Sequence, residues 1–227
     1  METNGSLNSP DDLAALYRER FDQKELAEKK VLWQTLCDQV FQSYVPADGT
    51  VVDLGAGNCE FSNAITARRR VAIDLNPDTK RFADSGVEVI LTSSTDMSAL
   101  GNESVNTVFT SNFFEHLPTK EMLLETLRES YRILLPGGKL VVLMPNMRYL
   151  NGRYWDYLDH YLPLTHLSLV EAMELTRFTP ERVVPRFLPY TVRNSRLPIS
   201  RPLISLYLKL KIVWPILGRQ MLVVASK

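Results

Sequence analysis

The stretch Val51-Val-Asp-Leu-Gly-Ala-Gly-Asn-Cys-Glu-Phe61 decides the fold. An apolar run with Asp53 near its end leads into Gly55 and Gly57, and then into a helix start. A parallel strand that delivers a ligand to a tight turn has this form. Glycine permits backbone conformations that a side chain forbids, and lets a ligand lie against the main chain. Ligands of open α/β sheets bind there, beyond the carboxyl ends of the strands.

The spacing argues against a dinucleotide. That fingerprint needs a third glycine three residues after the second, and Glu60 stands there. An acid at the helix mouth repels a pyrophosphate, which wants bare N–H groups and a positive dipole end. No Gly-x-x-x-x-Gly-Lys-Ser/Thr loop for a triphosphate occurs either. A ligand with a positive centre and no phosphate fits better, and S-adenosylmethionine is one.

Working outward, strands are predicted near 50–54, 70–74, 87–91, 105–111 and 139–144. Helical stretches fall near 59–66, 78–84 and 119–134. Strands alternating with helices argue for a parallel sheet. Two further strands are expected near Arg186–Thr191 and Met221–Ala225. Asp11 to Val45 reads as one or two helices, with apolar residues at Leu13, Leu16, Tyr17 and Phe21, and again from Val31 to Phe41.

Val51–Phe61 resembles the first motif of class I S-adenosylmethionine-dependent methyltransferases, although Cys59 stands where those enzymes often carry another glycine. The following pieces keep that family's order. Val71-Ala-Ile-Asp-Leu-Asn-Pro77 resembles the second strand and its ribose-binding acid, Asp74, with Leu75 beside it. Thr95-Asp96-Met97 resembles the loop that holds the adenine. Val105–Leu117 resembles the fourth strand and its exit, where Asn112 would meet the methionine part. Leu134–Asn146 resembles the turn and fifth strand. The resemblance covers roughly residues 45–146 and is looser on both sides. It implies an α/β, Rossmann-like sheet of order 3-2-1-4-5-7-6, its last hairpin antiparallel, flanked by helices. A helical cap over residues 1–45 would precede the cofactor-binding domain, 46–227. The implied cofactor-binding set is Asp53, Gly55, Gly57, Asp74, Leu75, Asp96, Met97 and Asn112.

Simple chemistry supports these roles. A ribose diol offers two adjacent donors, and one carboxylate accepts both. Asp74 lies 21 residues after Asp53, near the offset of about 20 residues expected of a ribose-binding acid. Asp74 can equally cap the next helix, and Asp53 can fix its own turn. A sulfonium methyl is already activated, so the protein has to align acceptor and methyl, exclude water, and take a proton from a hydroxyl acceptor. Histidine is the natural base near neutral pH. His116 follows Glu115 at the exit of the fourth strand, and His160 follows Asp159. These two histidines and Asp159 are the catalytic candidates; His166 has helix-start character. Glu115-His116 also resembles a pair in ubiquinone-type O-methyltransferases that has a metal nearby. Two adjacent ligands are too few for a site, so no metal is expected.

The 227 residues suit one α/β core with extra helices. Cys37 and Cys59 match no metal or redox spacing and read as reduced thiols. The polar, acidic start predicts no signal peptide, and with the thiols it points to the cytoplasm. A formal net charge of zero hides an asymmetry: no acid follows Glu181, while nine lysines and arginines do. Such polarity suits an anionic partner or surface, or simply balances an acidic body.

Two insertions are expected to select the acceptor. The first, near 147–166, mixes aromatic residues with His160 and His166, the make-up of a pocket wall. Tyr154–Phe178 is similar to a stretch in methyltransferases associated with bacterial cell-surface glycan synthesis. The second, near 193–218, contains an apolar, basic run that Arg201, Lys209, Lys211 and two prolines make unfit to span a membrane. It reads either as a helix lying on a membrane or as a buried or dimer-forming helix.

The resulting expectation is O-methylation of a small molecule or glycan precursor, anionic or lipid-linked, with no nucleic acid bound. The Asp/Asn-Pro-Pro-Tyr/Phe motif of exocyclic-amine DNA enzymes is replaced by Ser111-Asn-Phe-Phe114. The alternative is a cofactor-binding scaffold that has lost its chemistry.

Overall fold

The computed structural model describes residues 23–150, 152–190 and 200–227, with side chains from residue 27. Seven strands form one sheet: β1 (Thr50–Leu54), β2 (Arg69–Asp74), β3 (Val87–Leu91), β4 (Val105–Ser111), β5 (Leu134–Pro145), β6 (Thr179–Leu188) and β7 (Gln220–Ser226). Their order is β3-β2-β1-β4-β5-β7-β6. The first five pair in parallel and β7 runs antiparallel between β5 and β6, as the family resemblance implied.

Helices cover both faces because both faces are apolar. Side chains alternate across a strand, and buried parallel strands are apolar on both sides. Val52, Leu54, Val108, Val142, Met144 and Val223 point to one core, closed by α4 (Lys120–Ile133) and α5 (His166–Leu175). Val51, Phe109, Val141, Leu143, Leu222 and Val224 point to the other. There α1 (Gln23–Gln39) contributes Leu36 and Cys37, and α2 (Glu60–Ala64) contributes Phe61. Phe61 stacks on Phe109 with ring centroids 3.7 Å apart. The short α3 (Thr79–Phe82) follows β2.

Sequence and structure differ at β6. It was expected near Arg186–Thr191 but starts at Thr179 and ends at Leu188. Pro180, Pro185 and alternating charges obscure its pattern in the sequence. Such residues are tolerated because β6 is an edge strand, and its register shifts at Pro180/Arg182 and Val184/Leu188. The part of the predicted N-terminal helix before residue 23, and residues 191–199 of the second insertion, lie outside the described residues.

The rest of the second insertion forms α6 (Arg201–Lys209), a 3-10 turn (Lys211–Val213) and α7 (Trp214–Leu217). It packs on the second core through Leu208 and Trp214, with the Trp214 ring 5.0 Å from Phe187. Arg201 pairs with Asp38, and Gln39 donates to Ser205, so one face of α6 docks on α1. Much of the basic tail serves the fold. Arg182 donates to Tyr44, Arg186 and Arg219 donate to carbonyls of α7 and Gly218, and Lys227 pairs with Glu103. No helix among the described residues is long and apolar enough to cross a membrane.

Candidate functional site

The carboxyl ends of β1, β2 and β4 bring most of the expected residues to one edge of the sheet. After β1 the chain turns sharply. Gly55 has φ +69° and Gly57 φ +51°, a region in which a side chain is strained. The N–H groups of Gly55 and Ala56 both donate to the carbonyl of Ile73, which ties the turn to β2. A Cβ on Gly55 would lie 2.4 Å from Cγ of Phe113, so the turn also needs a bare backbone there. Cys59, at the place of the family's extra glycine, takes φ +57°. The left-handed backbone is thus kept without the residue that adopts it most easily. Burial pushes the Cys59 thiol up to about 12.

Asp74 ends β2 and faces this turn. Its Oδ2 accepts from the Gly57 N–H at 2.7 Å, and Oδ1 accepts from the Asn76 N–H at 2.8 Å. Burial raises its pKa, and these N–H donors work against that shift. A carboxylate has about four acceptor positions, so two oriented bonds leave capacity for a diol. Leu75 beside it is exposed, an apolar surface next to the acid.

Asp53 is placed differently. It is buried, and its Oδ2 accepts from both the hydroxyl (2.6 Å) and the N–H (3.3 Å) of Ser62 in α2. Burial raises its pKa to about 7, with Glu60 and Asp74 adding to the rise and Ser62 opposing it. Asp53 therefore anchors the helix behind the turn. Of the next expected pair, Asp96 alone reaches solvent. The hydroxyl and N–H of Ser98 hold its pKa low. Met97 is fully buried in the first core, its N–H donates to Glu129, and its carbonyl accepts from Arg132. Asn112 is exposed just past β4, with φ +48° and its N–H on the Leu143 carbonyl.

The catalytic candidates meet although 44 positions separate His116 from His160. Their rings lie 5.0 Å apart, edge to face. Nδ1 of His116 is 2.9 Å from the Asp159 carbonyl and 3.4 Å from Asp159 Oδ2. Both partners are acceptors, so Nδ1 carries a proton, and in the neutral ring Nε2 keeps the lone pair. Nδ1 of His160 lies 2.7 Å from the Tyr154 carbonyl, which sets the same tautomer. The loop is held in place by Glu115, whose carbonyl accepts from the N–H groups of Tyr161 and Leu162, and by the buried Tyr154, whose hydroxyl donates to the Leu162 carbonyl. His116 is near enough to Asp74 to help hold that acid's pKa down, which links the histidine pair to the glycine turn. His166 stands apart at the start of α5, bonded to Asn146.

Glu115 is the residue that the sequence analysis set aside as one of only two adjacent donors, too few for a metal. It is 1% exposed, and its Oε2 has no hydrogen-bond partner among the described residues. Burial raises its pKa to about 7, opposed by His116 and reinforced by Asp159. Carboxylate oxygen and ring nitrogens of Glu115, His116 and His160 all fall within 4.8 Å of one another. The adjacent Glu-His pair was visible in the sequence; its meeting with His160 was not.

Comparison with known proteins agrees with this geometry. Residues 52–142 match the family model described as a methyltransferase domain. The family match covers the glycine turn, Asp74 and the Glu115-His116 corner, and ends within β5. Among solved structures, the fold is similar to an S-adenosylmethionine-dependent methyltransferase from Archaeoglobus fulgidus, at 19% identity and TM-score 0.66, covering 94% of this chain and 99% of that one. It is also similar to a chain in the complex of the Haloferax volcanii Trm112 methyltransferase activator with a putative methyltransferase, at 16% identity and TM-score 0.65, covering 96% and 97%. A third is geranyl diphosphate methyltransferase in complex with S-adenosylmethionine, at 17% identity and TM-score 0.58, covering 98% and 92%. No curated protein sequence gives a significant match.

Proposed function

We propose that this protein transfers the methyl group of S-adenosylmethionine to an oxygen of a small-molecule or glycan acceptor. The observation that carries this reading is the meeting of two features at one sheet edge. One is an acid, Asp74, locked onto a left-handed glycine turn; the other is a histidine pair from two separate segments. In this reading Asp74 accepts the ribose hydroxyls, Leu75 packs beside the adenine, and Asp96 and Asn112 lie at the two ends of the cofactor. Asp53 supports the turn from behind through Ser62. The acceptor oxygen attacks the methyl carbon in line with the sulfur, the S–CH3 bond breaks, and the thioether leaves. The hydroxyl proton passes to a histidine Nε2, with Asp159 holding His116 in the required tautomer.

The test is calorimetric titration of the purified chain with S-adenosylmethionine, beside Asp74→Ala. Binding in the wild type that weakens at least about tenfold in the variant supports the assignment; losing one charge-assisted hydrogen bond costs about 1.5–3 kcal/mol. A folded wild type that does not bind overturns it. Methyl transfer is then read by mass spectrometry against sugars, phenols and lipid-linked glycans. Cofactor binding with no transfer to any of them, and full biological function in a variant that cannot bind cofactor, would favour the scaffold alternative.

One surface supports a lipid-linked acceptor. Leu203, Leu206, Leu210, Ile212, Ile216 and Leu217 are all exposed around Lys209 and Lys211, a combination suited to an anionic bilayer face. Flotation with anionic vesicles, lost on Ile212→Glu with Ile216→Glu, checks this contact. Equal flotation of that double variant refutes it.

A further inference from the structure

We propose that Glu115, His116 and His160 form a binding site for one divalent first-row transition-metal ion, with zinc the first probe. Neither the match to the methyltransferase domain nor the fold requires a metal. The argument rests on three independent features of this corner.

The first is the set of donors. One carboxylate oxygen and two imidazole nitrogens lie within 4.8 Å of one another, close enough to converge on one ion with small side-chain adjustments. Zinc–nitrogen and zinc–oxygen bonds are about 2.0–2.2 Å, so two ligands of one ion sit roughly 3–4 Å apart. The second is the orphaned oxygen. Glu115 is 1% exposed and its Oε2 has no hydrogen-bond partner among the described residues. A buried acceptor without a partner is destabilising, and a cation at this point removes that cost. The third is the outer shell. Both histidines place Nδ1 against a backbone carbonyl, that of Asp159 for His116 and that of Tyr154 for His160. Metal-ligating histidines are held this way, with the second ring nitrogen presented to the ion. Asp159 adds a carboxylate 3.4 Å from Nδ1 of His116.

The donor types select the ion. Two imidazoles and one carboxylate suit zinc, iron(II) or manganese; magnesium and calcium prefer an all-oxygen shell. Three protein ligands leave a tetrahedral ion one open position, the arrangement of catalytic zinc. The role of that position rests on the proposed methyl transfer. An ion held by these three residues would supply Lewis-acid polarisation, which would lower the pKa of an acceptor hydroxyl and let its proton pass to solvent. The O–CH3 bond then forms as the S–CH3 bond breaks. That polarisation would take the place of the histidine base in the proposed transfer.

The test uses the full-length chain without an affinity tag. Zinc is titrated against a chromophoric chelator, with magnesium as control. The expected result is one zinc per chain and no competition from magnesium. Glu115→Gln and His160→Gln should each weaken zinc binding by about 100-fold or more, and Asp159→Asn by about 10–100-fold, the range for outer-shell partners. Where a variant does not fold, the wild type loaded with cobalt(II) decides. Visible d–d bands without a thiolate charge-transfer band support nitrogen and oxygen ligands and exclude Cys37 and Cys59. Absence of zinc binding by the wild type, unchanged affinity in folded Glu115→Gln and His160→Gln, or a thiolate band each overturns the proposal. S-adenosylmethionine binding is measured separately on the same samples. Zinc bound without cofactor binding would leave the metal site standing and refute the methyl-transfer reading, and the converse would do the opposite.

Discussion

Substituting each glycine of the turn by alanine separates backbone strain from ligand contact. Gly55 and Gly57 both have positive φ, +69° and +51°, so either alanine incurs the left-handed penalty of roughly 1–2 kcal/mol. Their surroundings differ. At Gly57 a new Cβ meets nothing within 4 Å, whereas at Gly55 it falls 2.4, 2.5 and 2.7 Å from three atoms of Phe113. Gly57→Ala should therefore lose only the backbone term, which lowers Tm by about 2–8 °C for a chain of this size. Gly55→Ala must also displace the Phe113 ring, and overpacking adds about 1–3 kcal/mol. Its total is roughly 2–5 kcal/mol. Cofactor binding should separate the two in the opposite sense. The proposed function puts the ligand in the open space above Gly57, so an alanine methyl there should weaken S-adenosylmethionine by at least about tenfold, or 1.4 kcal/mol, in a protein that remains folded. Thermal melting and calorimetry on the two variants read both quantities. Unchanged cofactor affinity in Gly57→Ala would refute the placement of the ligand over this turn. Equal melting temperatures would refute the role of Phe113.

Three further outcomes follow from the geometry. Asp53 has a folded pKa near 7, above its ordinary value of 3.8, so the folded state holds the proton more tightly. Its contribution to stability is complete below about pH 4 and is lost as pH rises through about 7, by up to roughly 4 kcal/mol. Asp53→Asn, which still accepts from Ser62, should thus gain stability over wild type at about pH 8 and little at about pH 4, as read by urea unfolding; a pH-independent difference counts against the shift. Phe109→Ala removes the ring stacked on Phe61 and flanked by Trp33 and Phe41, and should cost about 3–5 kcal/mol; a loss under about 1 kcal/mol would show that this aromatic cluster does not hold the second core. Arg132 donates to the carbonyls of Met97 and Leu100 and to Asn102, and pairs with Glu129. Arg132→Met should therefore speed amide exchange selectively over residues 96–102, and unchanged exchange there would show that the loop holds itself.

The strands and the glycine turn were legible because their causes are local. Apolar residues on both sides of β1, β4 and β5, two glycines at a forced bend, and Asp74 one strand later follow from period, backbone freedom and spacing within a few dozen residues. β6 was misplaced because an edge strand tolerates the prolines and charges that hide its alternation. The basic tail was visible as charge, but its use was not: several of its arginines cap carbonyls or reach α1 across the fold.

The sequence by itself therefore determined the first five strands, the glycine turn and the acid that faces it, since each depends on neighbours along the chain; the strand order came from the family resemblance. Only the tertiary structure decided that Asp53 lies behind the turn on Ser62, that Met97 belongs to the core, and that His160 returns to Glu115 and His116. Those facts depend on how the 147–166 segment folds back over the end of β4. That path is set by the N–H groups of Tyr161 and Leu162 on Glu115 and by the burial of Tyr154, contacts between residues too far apart in sequence for any periodicity to record.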